Sequence, residues 1–264
     1  MKKFYYFDFL DGYFPPLISI FYIIFFLKNT VEIQIRLLRA CPYVSMCEKI
    51  SKEEIAPTPR GDVLIRSFCN PDEINRYAFG SQFGVYDDYK SLFTQRESLA
   101  KSAALADVNV VLALVESKNI IGYGVLAYPD SGERWAELGP KIMMEIKAIE
   151  VCRTWRSVGI APRILKLMLG YPHIEDKIIY MVGYSWTWDL AGTHMSAGQY
   201  REKLFDLFQS HGFQEYETNE PNVCLKPENL FMCRIGKNIS QVVKDRFKWL
   251  RFGLSPWTWK IDTH

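Results

Sequence analysis

The amino-acid sequence predicts an α/β protein of the α+β kind, with helices laid on a single mixed sheet. Residues 108–115 and 120–127 are apolar and rich in β-branched side chains. Only Glu116-Ser117-Lys118-Asn119 separates them, so they read as an antiparallel hairpin. Residues 142–151, 161–169 and 177–184 then read as strand, helix and strand, and a crossover helix after a hairpin indicates a mixed sheet. Hydrophobic residues make up 48% of the 264 and charged residues 23%, the balance of a chain that folds around a core.

Taken in order, residues 50–60 carry charges and the run Ile-Ala-Pro-Thr-Pro-Arg and read as a linker. Residues 62–68 are a short apolar strand. Asn70-Pro71-Asp72-Glu73 opens a helix with a capping side chain, a proline at the first turn and acids near the positive end of the dipole. Residues 87–106 read as a longer amphipathic helix, with Tyr89, Leu92, Phe93, Leu99 and Leu105 broadly on one side. The hairpin follows and ends at Tyr128-Pro129-Asp130-Ser131-Gly132, which is turn chemistry. After the crossover, residues 199–209 form a helix closed by His211-Gly212, residues 230–235 a last strand and residues 240–251 a final helix.

The domain limits that follow are an N-terminal extension and linker at 1–60, a folded domain at 61–252 and a tail at 253–264. The extension is unusual. An aromatic stretch after Met1-Lys2-Lys3 leads into an unbroken apolar run from 17 to 27, too short to span a bilayer at about 20 residues. It has the basic start and length of a signal-peptide core, but Lys28, Asn29 and Thr30 follow where a small-residue cleavage site would stand. An upstream extension of the reading frame, with Met46 as the start of the folded protein, is the third reading.

A formal charge of +2 gives no basis for nucleic-acid binding. The six cysteines form no Cys-x-x-Cys pair and lie near no paired histidines, so no metal site is expected and a reducing compartment is.

The chemistry concentrates in Glu150-Val151-Cys152-Arg153-Thr154-Trp155-Arg156-Ser157-Val158-Gly159-Ile160-Ala161-Pro162, where a strand runs through a short turn into a helix. Amides at such a turn lack intrahelical partners and the helix dipole adds positive charge, so a diphosphate fits there. Gly159 lets backbone approach phosphate, Ala161 leaves the helix start uncrowded and Pro162 suits the first turn. An ordinary strand-to-helix connection is the other reading of the same residues.

Arg156, Gly159 and Ala161 stand at the three fixed places of the Arg/Gln-x-x-Gly-x-Gly/Ala signature, and the chain here resembles the GCN5-related N-acetyltransferases (GNAT). Further segments narrow the likeness: Tyr128-Pro129-Asp130 with Glu133-Arg134-Trp135, Ala148-Ile149-Glu150-Val151, Tyr184-Ser185-Trp186-Thr187-Trp188-Asp189-Leu190, and Arg234-Ile235-Gly236-Lys237-Asn238. In order and spacing these resemble the acetoin-utilisation (AcuA-type) protein acetyltransferases over residues 61–252. The resemblance implies a GNAT-like acyl-CoA N-acyltransferase fold, a single domain with a splayed central sheet. It implies acetyl-CoA as co-substrate, no metal, a cytoplasmic enzyme, and a lysine of acetyl-CoA synthetase as the acetylated partner.

It also implies site residues. Ser157, Val158, Gly159, Ile160 and Ala161, with Arg156, would hold the diphosphate, and backbone at Ile149, Glu150 and Val151 would face the thioester oxygen. Lysine is protonated at neutral pH, so a base must take its proton. Glu145 matches the position of the glutamate base in histone-type members; a solvated glutamate at a strand start is the alternative. Glu150 is second choice, because successive strand residues alternate faces and 145 and 150 share a face only if a bulge intervenes. The tyrosine that protonates the departing thiol in the superfamily corresponds to Phe208, so Tyr200 or Tyr184 would have to substitute, or the thiolate leaves unassisted. Tyr200 is otherwise a helix-surface aromatic. Arg153, Arg163 and Lys166 flank the turn as possible partners of a ribose phosphate or as solvated charges. A covalent mechanism is excluded, because His194 and His211 have no adjacent nucleophile.

Overall fold

The computed structural model describes residues 50–86 and 89–254. The expectations for residues 1–49, including the apolar run and Met46, and for the last ten residues lie outside the described residues.

A nine-stranded sheet forms the centre. In chain order its strands are β1 (Glu53–Ala56), β2 (Val63–Arg66), β3 (Ala78–Phe79), β6 (Asn109–Val115), β7 (Asn119–Ala127), β8 (Met143–Val151), β9 (Ile178–Gly183), β10 (Gln214–Glu215) and β11 (Leu230–Ile235). A separate small hairpin pairs β4 (Val85–Tyr86) with β5 (Tyr89–Lys90). The main sheet runs β1-β2-β6-β7-β8-β9-β11-β10, with β3 added to the end of β7. Every pairing along that path is antiparallel except β8 with β9, which is parallel as the crossover predicts.

The longer helices are α1 (Pro71–Arg76), α2 (Arg96–Ala103), α3 (Ile160–Met168), α5 (Ala197–Gln209) and α7 (Gln241–Leu250), with short turns at α4 (Leu190–Thr193) and α6 (Pro221–Cys224). The cap predicted for α1 is a full capping box: Asn70 accepts from the Glu73 amide and Glu73 from the Asn70 amide. Gly212 takes a φ of +84° after α5, and Phe213 N donates back to the Phe208 carbonyl, closing the helix as expected.

Helix α3 lies on one face of β6, β7 and β8. Two glycines on β7 allow that approach: a Cβ on Gly124 would stand 2.5 Å from Ile164 and Met168, and one on Gly122 3.2 Å from Ile164. The other face is covered at Tyr123 by Phe79, Phe83 and Phe93, and over β9 and β11 by Trp135 stacked on Phe231 with Phe247 and Leu250 of α7.

Two sequence readings are corrected. Residues 50–60 are not all linker, because β1 pairs with β2 and Glu54 reaches across to Arg163 and Lys166 of α3. The helix expected at 87–106 is confined to Arg96–Ala103. Ahead of it, Tyr89 and Leu92 are drawn onto the sheet by hydrogen bonds to the Glu150 carboxylate, while Leu92 and Leu105 are exposed and share no buried helical stripe.

Candidate active site

The site follows from how β8 is held. On one side β7 pairs with it along nearly its whole length, from Glu145↔Ala127 to Val151↔Gly122. On the other side β9 pairs only at Met143, Met144 and Glu145. Beyond Glu145 the two parallel strands separate, and the edge of β8 from Ile146 to Val151 has no strand partner in β9.

A bulge decides which side chains face the opening. Ile146 pairs with Leu126 and Ala148 with Val125, so Lys147 is the extra residue. On β7, Ala127, Val125 and Tyr123 share one face. Their partners Glu145, Ala148 and Glu150 therefore share it too. The alternation expected to separate Glu145 from Glu150 is cancelled by one inserted residue.

At the start of the splay, Glu145 lines a cleft of about 370 Å³ with Glu133, Arg134, Trp135, Tyr180, Val182, Tyr184, Glu220 and Pro221. Its side chain is 20% exposed and Lys147 Nζ lies 3.0 Å from Oε2. Burial pushes the Glu145 carboxyl above the usual range, and the Lys147 charge opposes this. Tyr184 stacks on Trp186 at 4.9 Å, and burial raises its phenol to about 12, with Glu220 adding to the effect.

Glu150, at the far end of the strand, is fully engaged: Oε2 accepts from Tyr89 OH at 2.7 Å and Oε1 from Leu92 N at 2.8 Å. Its side chain is a fastening for residues 89–92.

The turn after β8 has the backbone a phosphate site requires. Ser157 and Gly159 have φ values of +62° and +80°, and Gly159 is the N-cap of α3 with no capping side chain. Among the described residues the amides of Ser157, Val158 and Gly159 make no hydrogen bond within the protein, and Ser157 and Gly159 are exposed. Consecutive free donors at a helix start fit a diphosphate. A Cβ on Gly159 would meet nothing within 4 Å, so glycine is required there by its left-handed φ rather than by crowding. Ile160 is buried and anchors the helix start; Ala161 is half-buried.

The Arg156 side chain is turned inward. Its Nε donates to the Val151 carbonyl at 3.0 Å and Nη1 to Asp189 Oδ2 at 2.7 Å. Arg153 grips the same carboxylate twice, at 2.8 and 2.7 Å, and the Gly192 amide donates to Oδ1 at 2.9 Å. The Asp189 side chain is 1% exposed, and although burial works against its charge, the two guanidinium groups hold its pKa down at about 2. Arg153 also lies 4.0 Å over the Tyr86 ring. Arg163 and Lys166 both pair with Glu54. The arginines and lysine flanking the turn are thus ion-paired rather than simply solvated, and Arg156 shapes the turn from behind.

Tyr200 stacks on Trp188 at 5.1 Å, with burial raising its phenol, and it lies within electrostatic reach of Arg156, Asp189 and Glu150. It therefore belongs to the turn end of the splay, whereas Tyr184 belongs to the cleft end. Phe208 is buried edge-on against Phe213 as a core residue.

Sequence reasoning assigned no part to Lys147, Asp189, Glu133 or Glu220. Asp189 carried a usable signal, since an aspartate opening the Leu-Ala-Gly-Thr turn is a capping residue. Nothing in the sequence marks Lys147 as a bulge.

Among the described residues no helix is long and apolar enough to cross a membrane. No protein-family model matches the chain. The acetoin utilization protein AcuA of Bacillus licheniformis is 31% identical over 195 residues, which is 74% of this chain and 91% of that protein. AcuA of Bacillus subtilis is 30% identical over the same shares. The crystal structure of an acetoin utilization protein from Exiguobacterium sibiricum matches with a TM-score of 0.72 at 28% identity, covering 79% of this chain and 97% of that one.

Proposed function

The chain belongs to the AcuA family of GNAT-type N-acetyltransferases, and from that premise we propose that it moves the acetyl group of acetyl-CoA onto a protein lysine, with acetyl-CoA synthetase as the acceptor it switches off. The observation that carries this reading is the gap between β8 and β9. It opens between free turn amides at one end and an acidic cleft containing Glu145 at the other.

In this proposal the Ser157, Val158 and Gly159 amides, with the start of α3 at Ile160 and Ala161, hold the diphosphate, and Arg156 keeps the turn in shape. The open backbone edge at Ile149, Glu150 and Val151 lines the path to the thioester and offers a donor to its oxygen. Bound there, acetyl-CoA supplies an acetyl group open to attack by a neutral amine. Glu145 is the base: a carboxyl raised by burial takes the proton of an incoming ammonium, directly or through one water. Tyr200, raised by burial and so protonated at neutral pH, is the candidate donor to the departing sulfur. The four described cysteines are free thiols, which supports a cytoplasmic location.

The decisive experiment incubates the protein with acetyl-CoA and purified acetyl-CoA synthetase, then maps acetyl-lysines by mass spectrometry. A specific acetyl-lysine with loss of synthetase activity is expected. Turnover with small amines and none with the synthetase would move the assignment to a small-amine acetyltransferase. CoA binding without turnover on either would make the protein a non-catalytic acyl-CoA sensor.

A further inference from the structure

Lys147 owes its place to the bulge. It has no partner on β7, and its half-buried ammonium stands among three carboxylates: Glu145 Oε2 at 3.0 Å, Asp130 Oδ2 at 3.8 Å and Glu133 Oε1 at 3.9 Å. Glu133 is itself held, accepting from Asp130 N at 3.1 Å and from Tyr180 OH at 3.3 Å. Asp130 is exposed. Glu145 and Glu133 both line the cleft, and of the three carboxylates Glu145 is the nearest to the ammonium.

We propose that Lys147 is a positioning residue for the transfer: from the β8 bulge its ammonium holds Glu145 oriented and ionised inside the cleft, ready to take the proton of the acceptor amine. The inference rests on the reading of Glu145 as base and deepens it. A carboxylate in a half-enclosed site beside two other carboxylates loses its charge as it loses water, and a neutral carboxyl accepts no proton from an ammonium. Every group facing Glu145 bears on this balance. Glu133 and Asp130 from the segment after β7 and Glu220 from the segment before α6 oppose the charge. The phenols of Tyr180 on β9 and Tyr184 beyond it are neutral, and Arg134 lies on the cleft wall. Lys147 is the cation in contact with the carboxylate, and in agreement burial raises Glu145 while Lys147 pulls it back. Residues 145 and 147 would share a face in a regular strand too. What the bulge adds is that residue 147 has no β7 residue opposite it, and its ammonium stands 3.0 Å from Glu145.

The test is the pH dependence of kcat/KM for the acceptor in the full-length protein, with Lys147→Met, Lys147→Arg and Glu145→Gln. Activity rises with pH as the base ionises, so removing the cation moves this acid limb to higher pH. A shift of about one unit or more is expected for Lys147→Met, since an opposite charge at this distance lowers a carboxyl by about 1–3 units. Lys147→Arg restores most of the limb. The KM for acetyl-CoA stays within about twofold, which a general loss of structure would not allow. An unmoved limb in Lys147→Met, with Glu145→Gln crippled, overturns the role of Lys147 alone. Full activity in Glu145→Gln overturns the base assignment and this inference with it. Should Lys147→Met fold poorly by circular dichroism, Lys147→Gln supplies the same neutralisation, and an unmoved limb there overturns the proposal equally.

Discussion

Glu145 and Glu150 lie on the same strand and, through the Lys147 bulge, on the same face, yet their surroundings differ. Glu150 has both oxygens committed, to the Tyr89 hydroxyl and the Leu92 amide, and ties a neighbouring segment to the sheet. Glu145 faces an open cleft, touches one cation and carries a carboxyl raised by burial. The same residue type is a structural fastening where its lone pairs are filled by protein and, in the function proposed above, the base where it borders the open cleft. Position along a splayed strand decides which, because only the Glu145 end borders the cleft at the point where β9 departs.

The sharpest test of this contrast is to neutralise each carboxylate in turn. Glu145→Gln should lower turnover by roughly 10²–10⁴-fold with CoA affinity nearly unchanged. Stability should hold or rise, because a carboxyl whose folded pKa is raised costs stability once ionised. Glu150→Gln should show the reverse, losing about 1–3 kcal/mol in urea denaturation as one donor is left facing an amide group, with the pH–rate profile unmoved. Equal losses of turnover in the two variants would end the distinction.

The turn end is tested next through Asp189. Its pKa of about 2 lies below the ordinary 3.8, so the folded state releases this proton more readily than the unfolded one. The corresponding stabilisation, about 2 kcal/mol, is complete above about pH 5 and is lost as pH falls toward 2. Asp189→Asn should be destabilised by at least that amount at pH 7 in urea melts, and the gap to wild type should close in acid. A constant gap between pH 7 and pH 2.5 would show that the charge is not what holds Arg153 and Arg156.

Gly159→Val places a side chain beside the free amides in a backbone conformation with φ of +80°. The expected cost is about 1–2 kcal/mol of stability and at least a tenfold weaker CoA affinity by calorimetry. Unchanged affinity would remove the phosphate assignment. The smallest effects should come from the two tyrosines. Tyr200→Phe should lower kcat roughly tenfold, less than most proton-transfer groups contribute, since a thiol with pKa near ~8.5 leaves readily. Tyr184→Phe should act on the acceptor KM instead. Exchange of those two phenotypes would assign the acid to the cleft end.

Much of the fold was legible because it is encoded locally. The hairpin, the crossover strand and helix, the capping box at Asn70 and the glycine closing α5 are decided by residues within a few positions of one another. Residues 87–106 failed for the opposite reason. Their apolar spacing suits a helix, but a hydrogen bond to Glu150, 58 residues away from Leu92, pulls the first part onto the sheet. The strand at Glu53–Ala56 was missed likewise, since a short charged segment becomes a strand only by pairing with Val63–Arg66.

By itself the sequence determined the α+β order, the position of the turn at Ser157–Gly159 and the candidacy of Glu145, because turn chemistry, periodicity and motif spacing are properties of contiguous residues. Tertiary structure alone decided that Lys147 is bulged, that Glu145 and Glu150 share a face, and that Arg156 turns inward to Asp189. A register shift is set by the neighbouring strand, and a buried ion pair by whichever distant segment supplies its counter-charge. Side-chain alternation predicts faces only while the ladder is regular, and in this protein the ladder breaks at the residue beside the candidate base.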